Sequence, residues 1–288
     1  MDRRSSQRVA VVAVAVALIG AACAGSGGDN GTVAPVDVAP TTTATSPAPG
    51  TAPRTDVERL RPEVLARTPH DSASFTQGLV LDDGKLYESA GLYDESALME
   101  VDPTSGQVIR EVDLPPELFA EGLELVDGRL VQLTWQENQA LVHDIDTFEV
   151  VETYGYVGEG WGLCDDGDRL VMSNGSSDLT FRDLSTFAPL GSVEVTLDGS
   201  RVEFLNELEC VDGDVWANVW LTDTIVRIDP ETGSVTATVD AAGLLTDAEA
   251  ATADVLNGIA HIEDDRFLVT GKFWPWMFEV RFVPASQN

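Results

Sequence analysis

The sequence predicts an all-β fold: a five-bladed β-propeller closed by an N-terminal strand that completes the last blade. Three observations carry that expectation. A short pattern recurs as "GKLYESAG" from Gly84, "GRLVQLTW" from Gly128, "DRLVMSNG" from Asp168, "GDVWANVW" from Gly213 and "DRFLVTGK" from Asp265, with starts 44, 40, 45 and 52 residues apart. Each copy follows a short apolar run and an Asp/Gly turn. Each precedes another alternating run and usually an Asp-rich turn such as "VDPTSG" or "IDPETG", so a unit reads as four short strands. After the fifth copy only "MFEVRF" offers a strand, so the last unit lacks an outer one, and "EVLARTPH", Glu63 to His70, is expected to supply it and cover the open edge. A linear stack of repeats is the alternative. Helical periodicity is confined to "LLTDAEAATADV", Leu244 to Val255, which accounts for the longest spacing.

Ahead of the repeats, residues 1–23 read as an export signal: Arg3, Arg4 and Arg8, the apolar "VAVVAVAVALIG", then small residues. That apolar stretch is short for a permanent membrane anchor. Cys23 behind "IGAA" suggests a lipoprotein signal, although Gly20 stands where such signals usually have Leu. Acylation of Cys23 and plain cleavage near Ala22 or Ala24 both stay open. Residues 24–56 are Gly, Ser, Thr, Pro and Ala with hardly an aliphatic cluster; they cannot bury enough surface to fold and read as a tether, leaving 57–288 as the folded domain. Seventeen basic residues against 49 acidic ones give a net charge of -32. Such a surface repels nucleic acid and draws in cationic groups such as a peptide α-ammonium.

The repeat frame also locates a site. Seven residues before the first four copies stand Gln77, Glu121, Trp161 and Asn206, and eight before the fifth, whose turn is longer, stands Asn257. Placed just ahead of the innermost strand of each unit, they should ring one mouth of the central channel. The last residues of the copies, Gly91, Trp135, Gly175, Trp220 and Lys272, end the second strands, and antiparallel pairing brings them to the same mouth. Phe75 and Phe119 precede Gln77 and Glu121 by two residues. Aromatic walls around a few polar groups are the usual form of a small-ligand site, and Glu121 is the one carboxylate among the aligned ring positions. His70, His143 and His261 lack metal-ligand spacing, and no phosphate-binding loop, nucleophile elbow or EF-hand loop is present. Cys164 and Cys210 fall in inner strands of neighbouring units, and export permits oxidation, so they are expected to pair; a reactive thiol is the lesser reading.

At these same residues the sequence resembles the plant and bacterial glutaminyl-peptide cyclotransferases, the five-bladed propeller glutaminyl cyclases. The matching stretches are "FTQG", "LYESAG", "FAEGL", "QLTW", "GEGWGL", "LNELE", "DVWANVW", "DVLNGIA" and "VTGKFWP", spread from about His70 to Phe282, with Ala120 where the family usually has Gly. The resemblance implies conversion of an N-terminal glutamine to pyroglutamate with loss of ammonia. It implies a site of Phe75, Gln77, Phe119, Glu121, Trp135, Trp161, Asn206, Trp220 and Lys272, to which the repeat frame adds Asn257. Glu121 is expected to carry the proton, with Lys272, Asn206 or Gln77 steadying the developing oxyanion. No cofactor is required for that reaction, and the resemblance leaves room for a structural calcium ion in the channel. The expected partners are peptides or proteins with N-terminal glutamine, met by a monomer outside the cytoplasm, secreted or held to the outer face of a bacterial membrane through a lipidated Cys23. A metal-dependent propeller hydrolase or lactonase, and a non-catalytic binding propeller, are the rival readings.

Overall fold

The computed structural model describes residues 57–285. The signal segment 1–23 with Cys23 and the tether 24–56 lie outside the described residues. The first strand, β1 (Glu58–Pro69), is followed by three antiparallel four-stranded meanders. These are β2 (Thr76–Asp82), β3 (Lys85–Ala90), β4 (Ala97–Val101) and β5 (Val108–Asp113); β6 (Ala120–Val126), β7 (Arg129–Thr134), β8 (Gln139–Asp144) and β9 (Val150–Gly155); and β10 (Leu163–Asp165), β11 (Leu170–Met172), β12 (Asp178–Arg182) and β13 (Pro189–Glu194). A small hairpin, β14 (Thr196–Leu197) and β15 (Ser200–Arg201), leads into β16 (Leu205–Val211), β17 (Asp214–Val219), β18 (Thr224–Asp229) and β19 (Ser234–Asp240). The short helix α1 (Asp247–Ala250) precedes β20 (Leu256–Glu263), β21 (Arg266–Gly271) and β22 (Trp276–Pro284). The last two groups share one ten-stranded sheet, ordered β16-β17-β18-β19-β1-β22-β21-β20 with β14 and β15 beside it.

Local chemistry sets this pattern. Asp83–Gly84, Asp127–Gly128 and Asp212–Gly213 turn between first and second strands with positive φ at both residues, the two-residue geometry whose twist matches paired strands. First strands are buried along most of their length, whereas the fourth strands β5 and β9 are largely exposed. The first strands pack in a cycle, β2 on β6, β6 on β10, β10 on β16, β16 on β20 and β20 on β2. The core fills the gaps between neighbouring sheets: Leu133, Val142, Leu163 and Met172 in one gap, Leu79, Met99, Ala260 and Met277 in another.

β1 pairs antiparallel with β22 from Leu60 opposite Pro284 to Pro69 opposite Trp276, as an outer strand supplied from the N-terminal side should. Its first residues do something the repeat frame did not suggest: Glu58, Arg59 and Leu60 pair in parallel with Ala237, Thr238 and Val239 of β19, fusing two groups into one sheet. The helix expected within Leu244–Val255 amounts to Asp247–Ala250. Thr246 and Glu249 form a capping box at its start, but beyond Ala251 the sheet recruits the chain, with Asp254 N donating to Lys272 O and Lys272 N to Val255 O.

Gln77, Glu121, Asn206 and Asn257 lie inside strands, not ahead of them, each as the second residue of β2, β6, β16 or β20. The reason is a shift of register at each position, between Thr76 and Gly78, Ala120 and Leu123, Leu205 and Leu208, and Leu256 and Ile259. An extra residue here re-aims one side chain away from the sheet faces. Only Trp161 precedes its strand. The bulges are knotted to one another: Ser89 Oγ donates to Glu121 O, Gly122 N to Trp161 O, Ser173 Oγ to Asn206 O, Gly258 N to Asn218 Oδ1, and Asn257 Nδ2 to Thr76 O. Glycine follows Glu121 because a Cβ on Gly122 would come within 2.7 Å of Trp161 O.

Cys164 of β10 and Cys210 of β16 form a disulfide with Cα atoms 5.5 Å apart and a sequence separation of 46. It ties two adjacent first strands. Replacing both cysteines by Ala is expected to lower the free energy of unfolding by about 2–4 kcal/mol, measured as a lower urea midpoint with a steeper slope as the uncrosslinked chain unfolds more fully; an unchanged midpoint and slope would show that the bond adds nothing.

Candidate active site

The bulged residues form a polar floor. Gln77, Glu121, Asn206, Asn257 and Lys272 are all buried. A hydrogen-bonded chain crosses it: Asn257 Nδ2 donates to Gln77 Oε1 at 3.2 Å, and Gln77 Nε2 donates to Glu121 Oε1 at 3.0 Å. Asn206 Oδ1 and Asn257 Oδ1 are buried without a hydrogen-bond partner among the described residues. Buried acceptors of that kind are costly unless something arrives to donate to them.

Half-buried aromatic rings stand around the floor. The ends of the second strands bring Trp135 and Trp220, and they pair with the residues ahead of the first strands that bring Phe75, Phe119 and Phe204: Trp135 N donates to Phe119 O, Trp220 N to Phe204 O, Lys272 N to Val255 O and Gly91 N to Phe75 O, the same pairing in four groups. In the remaining group Gly175 N turns instead to Leu205 O, and the Trp161 ring covers Gly175 so closely that a Cβ there would meet it at 2.6 Å. Two aromatic sets result. Phe119 touches Phe75, Tyr93 and Trp135 with centroids 6.1, 5.3 and 5.5 Å away, and Phe75 also meets Phe273 at 5.2 Å. Trp220 meets Trp161 at 5.5 Å and Phe204 at 5.9 Å. Lys272 Nζ lies 4.5 Å from the centre of the Phe75 ring, within cation–π range.

Electrostatics follow from this burial. Desolvation lifts the Glu121 carboxyl well above its ordinary value; the Lys272 charge pulls it back, while Glu159 and Glu137 push it further up. Lys272 is shifted the other way, lowered by burial and partly restored by Glu121 and Asp254. A carboxyl and an amine drawn toward each other's proton affinity are suited to exchanging a proton with a substrate.

Every residue singled out from the repeat frame lies on this floor or its aromatic wall, from Phe75 and Gln77 through Phe119, Glu121, Trp135, Trp161, Asn206, Trp220 and Asn257 to Lys272. Reading the frame missed five contributors, Tyr93, Glu137, Glu159, Phe204 and Phe273. Two were in reach of it: Glu159 and Phe204 precede Trp161 and Asn206 by two residues, as Phe75 and Phe119 precede Gln77 and Glu121. Tyr93, Glu137 and Phe273 come from turns after the second strands, where the repeats diverge.

Similarity to known proteins covers the same residues. The family model for glutamine cyclotransferase matches residues 36–282. A glutaminyl-peptide cyclotransferase of Arabidopsis thaliana is 38% identical over 231 residues, which span 78% of this chain and 72% of that protein. The crystal structure of Myxococcus xanthus glutaminyl cyclase matches with a TM-score of 0.72 at 38% identity, over 80% of this chain and 100% of that one. Sequence and fold therefore agree along almost the whole described length, and the chain belongs to the glutamine cyclotransferase family.

Proposed function

We propose that this protein converts the N-terminal glutamine of peptides or proteins to pyroglutamate, with Glu121 as the proton carrier. The observation that carries the reading is the Glu121 carboxyl itself, buried, raised in proton affinity and held by Gln77 at the foot of an aromatic funnel beside Lys272. The glutamine side chain enters between Phe119, Trp135, Trp161 and Trp220, where the funnel folds it toward its own α-amine. Holding the two reacting atoms together removes much of the barrier of an intramolecular attack. The neutral amine nitrogen bonds to the side-chain amide carbon, Glu121 takes a proton from that nitrogen, and the same proton passes to the departing nitrogen as the carbon–nitrogen bond breaks and ammonia leaves. The Lys272 ammonium faces the charge that builds on the amide oxygen. Gln77 Nε2 gives one N–H to Glu121 while its Oε1 accepts from Asn257, which orients the carboxyl and leaves its second N–H for the oxyanion. Asn206 Oδ1 and Asn257 Oδ1 are acceptors for the substrate's N–H groups.

In the same reading the cycle of first strands is the channel of a five-bladed propeller, with β1 completing the blade of β20, β21 and β22; the parallel contact of β1 with β19 is what merges two blades into one sheet. A structural calcium ion there would look to Glu207 and Glu209 for oxygen, while among the described residues no three acidic, His or Cys side chains gather into a ready site. Glu207 reaches Leu79 N and Ile259 N on two different first strands, and the charges of Glu209 and Glu124 add to its burial in raising its proton affinity, a repulsion that a hard cation relieves. Such an ion would relieve that repulsion, and the reaction does not pass through it. The disulfide supports an oxidising, extracytoplasmic setting, with the protein a monomer, secreted or tethered through Cys23.

Incubation with a Gln-Ala peptide is expected to release one ammonia per peptide, and turnover should survive a chelator, which separates a cyclase from a metal-dependent hydrolase. A folded protein that binds the peptide without releasing ammonia would make the site a binding module.

A further inference from the structure

Glu159 is the point where the two aromatic sets meet. Its Oε2 accepts the indole N–H of Trp135 at 2.8 Å and that of Trp161 at 3.0 Å, and its Oε1 accepts Gln136 Nε2 at 2.9 Å. Trp135 belongs to the Phe119 set and Trp161 to the Trp220 set. Backbone bonds from Gly160 N to Trp135 O and from Gly122 N to Trp161 O hold the two segments side by side; among the described side-chain contacts, it is this carboxylate that ties one ring set to the other. Its place in the frame sharpens the point: where three other groups carry Phe75, Phe119 and Phe204, this one carries an acid. An indole N–H at a half-buried rim satisfies itself with water at little loss, so a single carboxylate oxygen shared by two indoles is a geometric device. It fixes two rings relative to each other with charge-assisted bonds.

A second carboxylate braces the same rim. Glu137 Oε1 accepts Tyr93 OH at 2.7 Å, and Glu137 Oε2 accepts Phe119 N at 3.4 Å. Glu159 and Glu137 are the two negative charges that act on Glu121 from the wall, against Lys272 from the turn after β21, with Tyr93 and Tyr156 the other titratable groups in its field. The rim is therefore both a scaffold and a source of negative potential, facing a substrate that arrives with an α-ammonium.

We infer that Glu159 is a positioning residue for cyclisation, whose carboxylate locks Trp135 and Trp161 into one wall and, together with Glu137, sets the potential at Glu121. The inference rests on the reaction proposed above. Two substitutions divide the roles. Glu159→Gln keeps an oxygen for the indoles but removes the charge; Glu159→Ala removes both.

The test measures ammonia release from a Gln-Ala peptide against pH, together with indole N–H resonances of the resting protein. For Glu159→Ala, kcat/KM is expected to fall by roughly 10–100-fold, the scale of a misplaced substrate, and the Trp135 and Trp161 indole protons should lose protection from exchange. For Glu159→Gln the loss should be several times smaller and the indoles should stay protected. With a negative charge gone, the Glu121 carboxyl and a bound amine both become more acidic, so the acid limb of kcat should move down by roughly half a pH unit. Glu137→Gln should move it in the same direction. Indole protection unchanged in Glu159→Ala would overturn the brace, and an acid limb unmoved in Glu159→Gln would overturn the electrostatic part. A parent protein that releases no ammonia would defeat the proposed reaction instead, while the indole measurement would still decide the brace.

Discussion

Glu121→Gln is expected to reduce kcat by about 100-fold or more, the range over which a positioned acid–base group usually acts, while KM changes little. The amide has the shape of the carboxyl and still presents an oxygen to Gln77 Nε2, so floor and wall persist. What disappears is a group able to take a proton from the amine and return it to the leaving nitrogen. Lowered activity could also follow from misfolding, and the environment of Glu121 makes that alternative testable. Burial already disfavours its charge, so a neutral isostere removes a desolvation penalty, and the variant should unfold at an equal or higher denaturant concentration. A protein at least as stable as the parent yet about 100-fold slower would assign the loss to proton transfer. Turnover near the parent rate would leave Glu121 a buried acid of the floor with no part in proton transfer.

The fold was legible because its turns are written in residues with one dominant meaning. Asp83–Gly84, Asp127–Gly128 and Asp212–Gly213 need positive φ twice over, and once they mark the hairpins, their spacing brings five equivalent positions into one ring. Glu121 was found that way without reference to its chemistry. What stayed hidden depends on contacts between groups. The bulges that turn Gln77 and Glu121 off the sheet faces arise where adjoining first strands exchange hydrogen bonds, as from Gly122 N to Trp161 O, and no pattern within one strand encodes them. Glu159 looked like one more acid in a chain with 49 of them, because its meaning lies in two indoles delivered by neighbouring groups. The parallel pairing of Glu58, Arg59 and Leu60 with β19 was illegible for the same reason.

His70 and Glu88 were likewise unremarked as a pair, yet breaking them should produce the largest loss of stability. Glu88 is buried and collects Ser74 Oγ at 2.5 Å, Thr76 Oγ1 at 2.7 Å and His70 Nε2 at 3.2 Å, while His70 Nδ1 lies 2.8 Å from Trp274 O. The cluster clamps the loop carrying Phe75 to the turn carrying Lys272, assisted by Phe273 N donating to Ser74 O. Burial alone would lower the His70 pKa, but the Glu88 charge and hydrogen bond outweigh it and raise it above 6.5. Burial alone would raise Glu88, but the His70 charge and the bonds from His70, Ser74 and Thr76 hold it below 4.5. Glu88→Ala leaves a histidine and two hydroxyls buried without their partner, and should cost about 3–5 kcal/mol, as for one member of a buried ion pair. Each pKa fixes a limit of pH. A raised histidine stabilises fully below about 6.5 and loses that contribution as pH climbs through its folded value; a lowered carboxyl stabilises above about 4.3 and loses it as pH falls through its folded value. The difference in unfolding free energy between parent and Glu88→Ala should therefore be greatest between those limits and shrink on both sides, more gently on the alkaline side because Ser74 and Thr76 still bond a carboxylate after His70 is neutral. Urea titrations from about pH 2 to about pH 9 would read that profile directly, and a difference that does not vary with pH would mean that the two side chains meet as neutral groups.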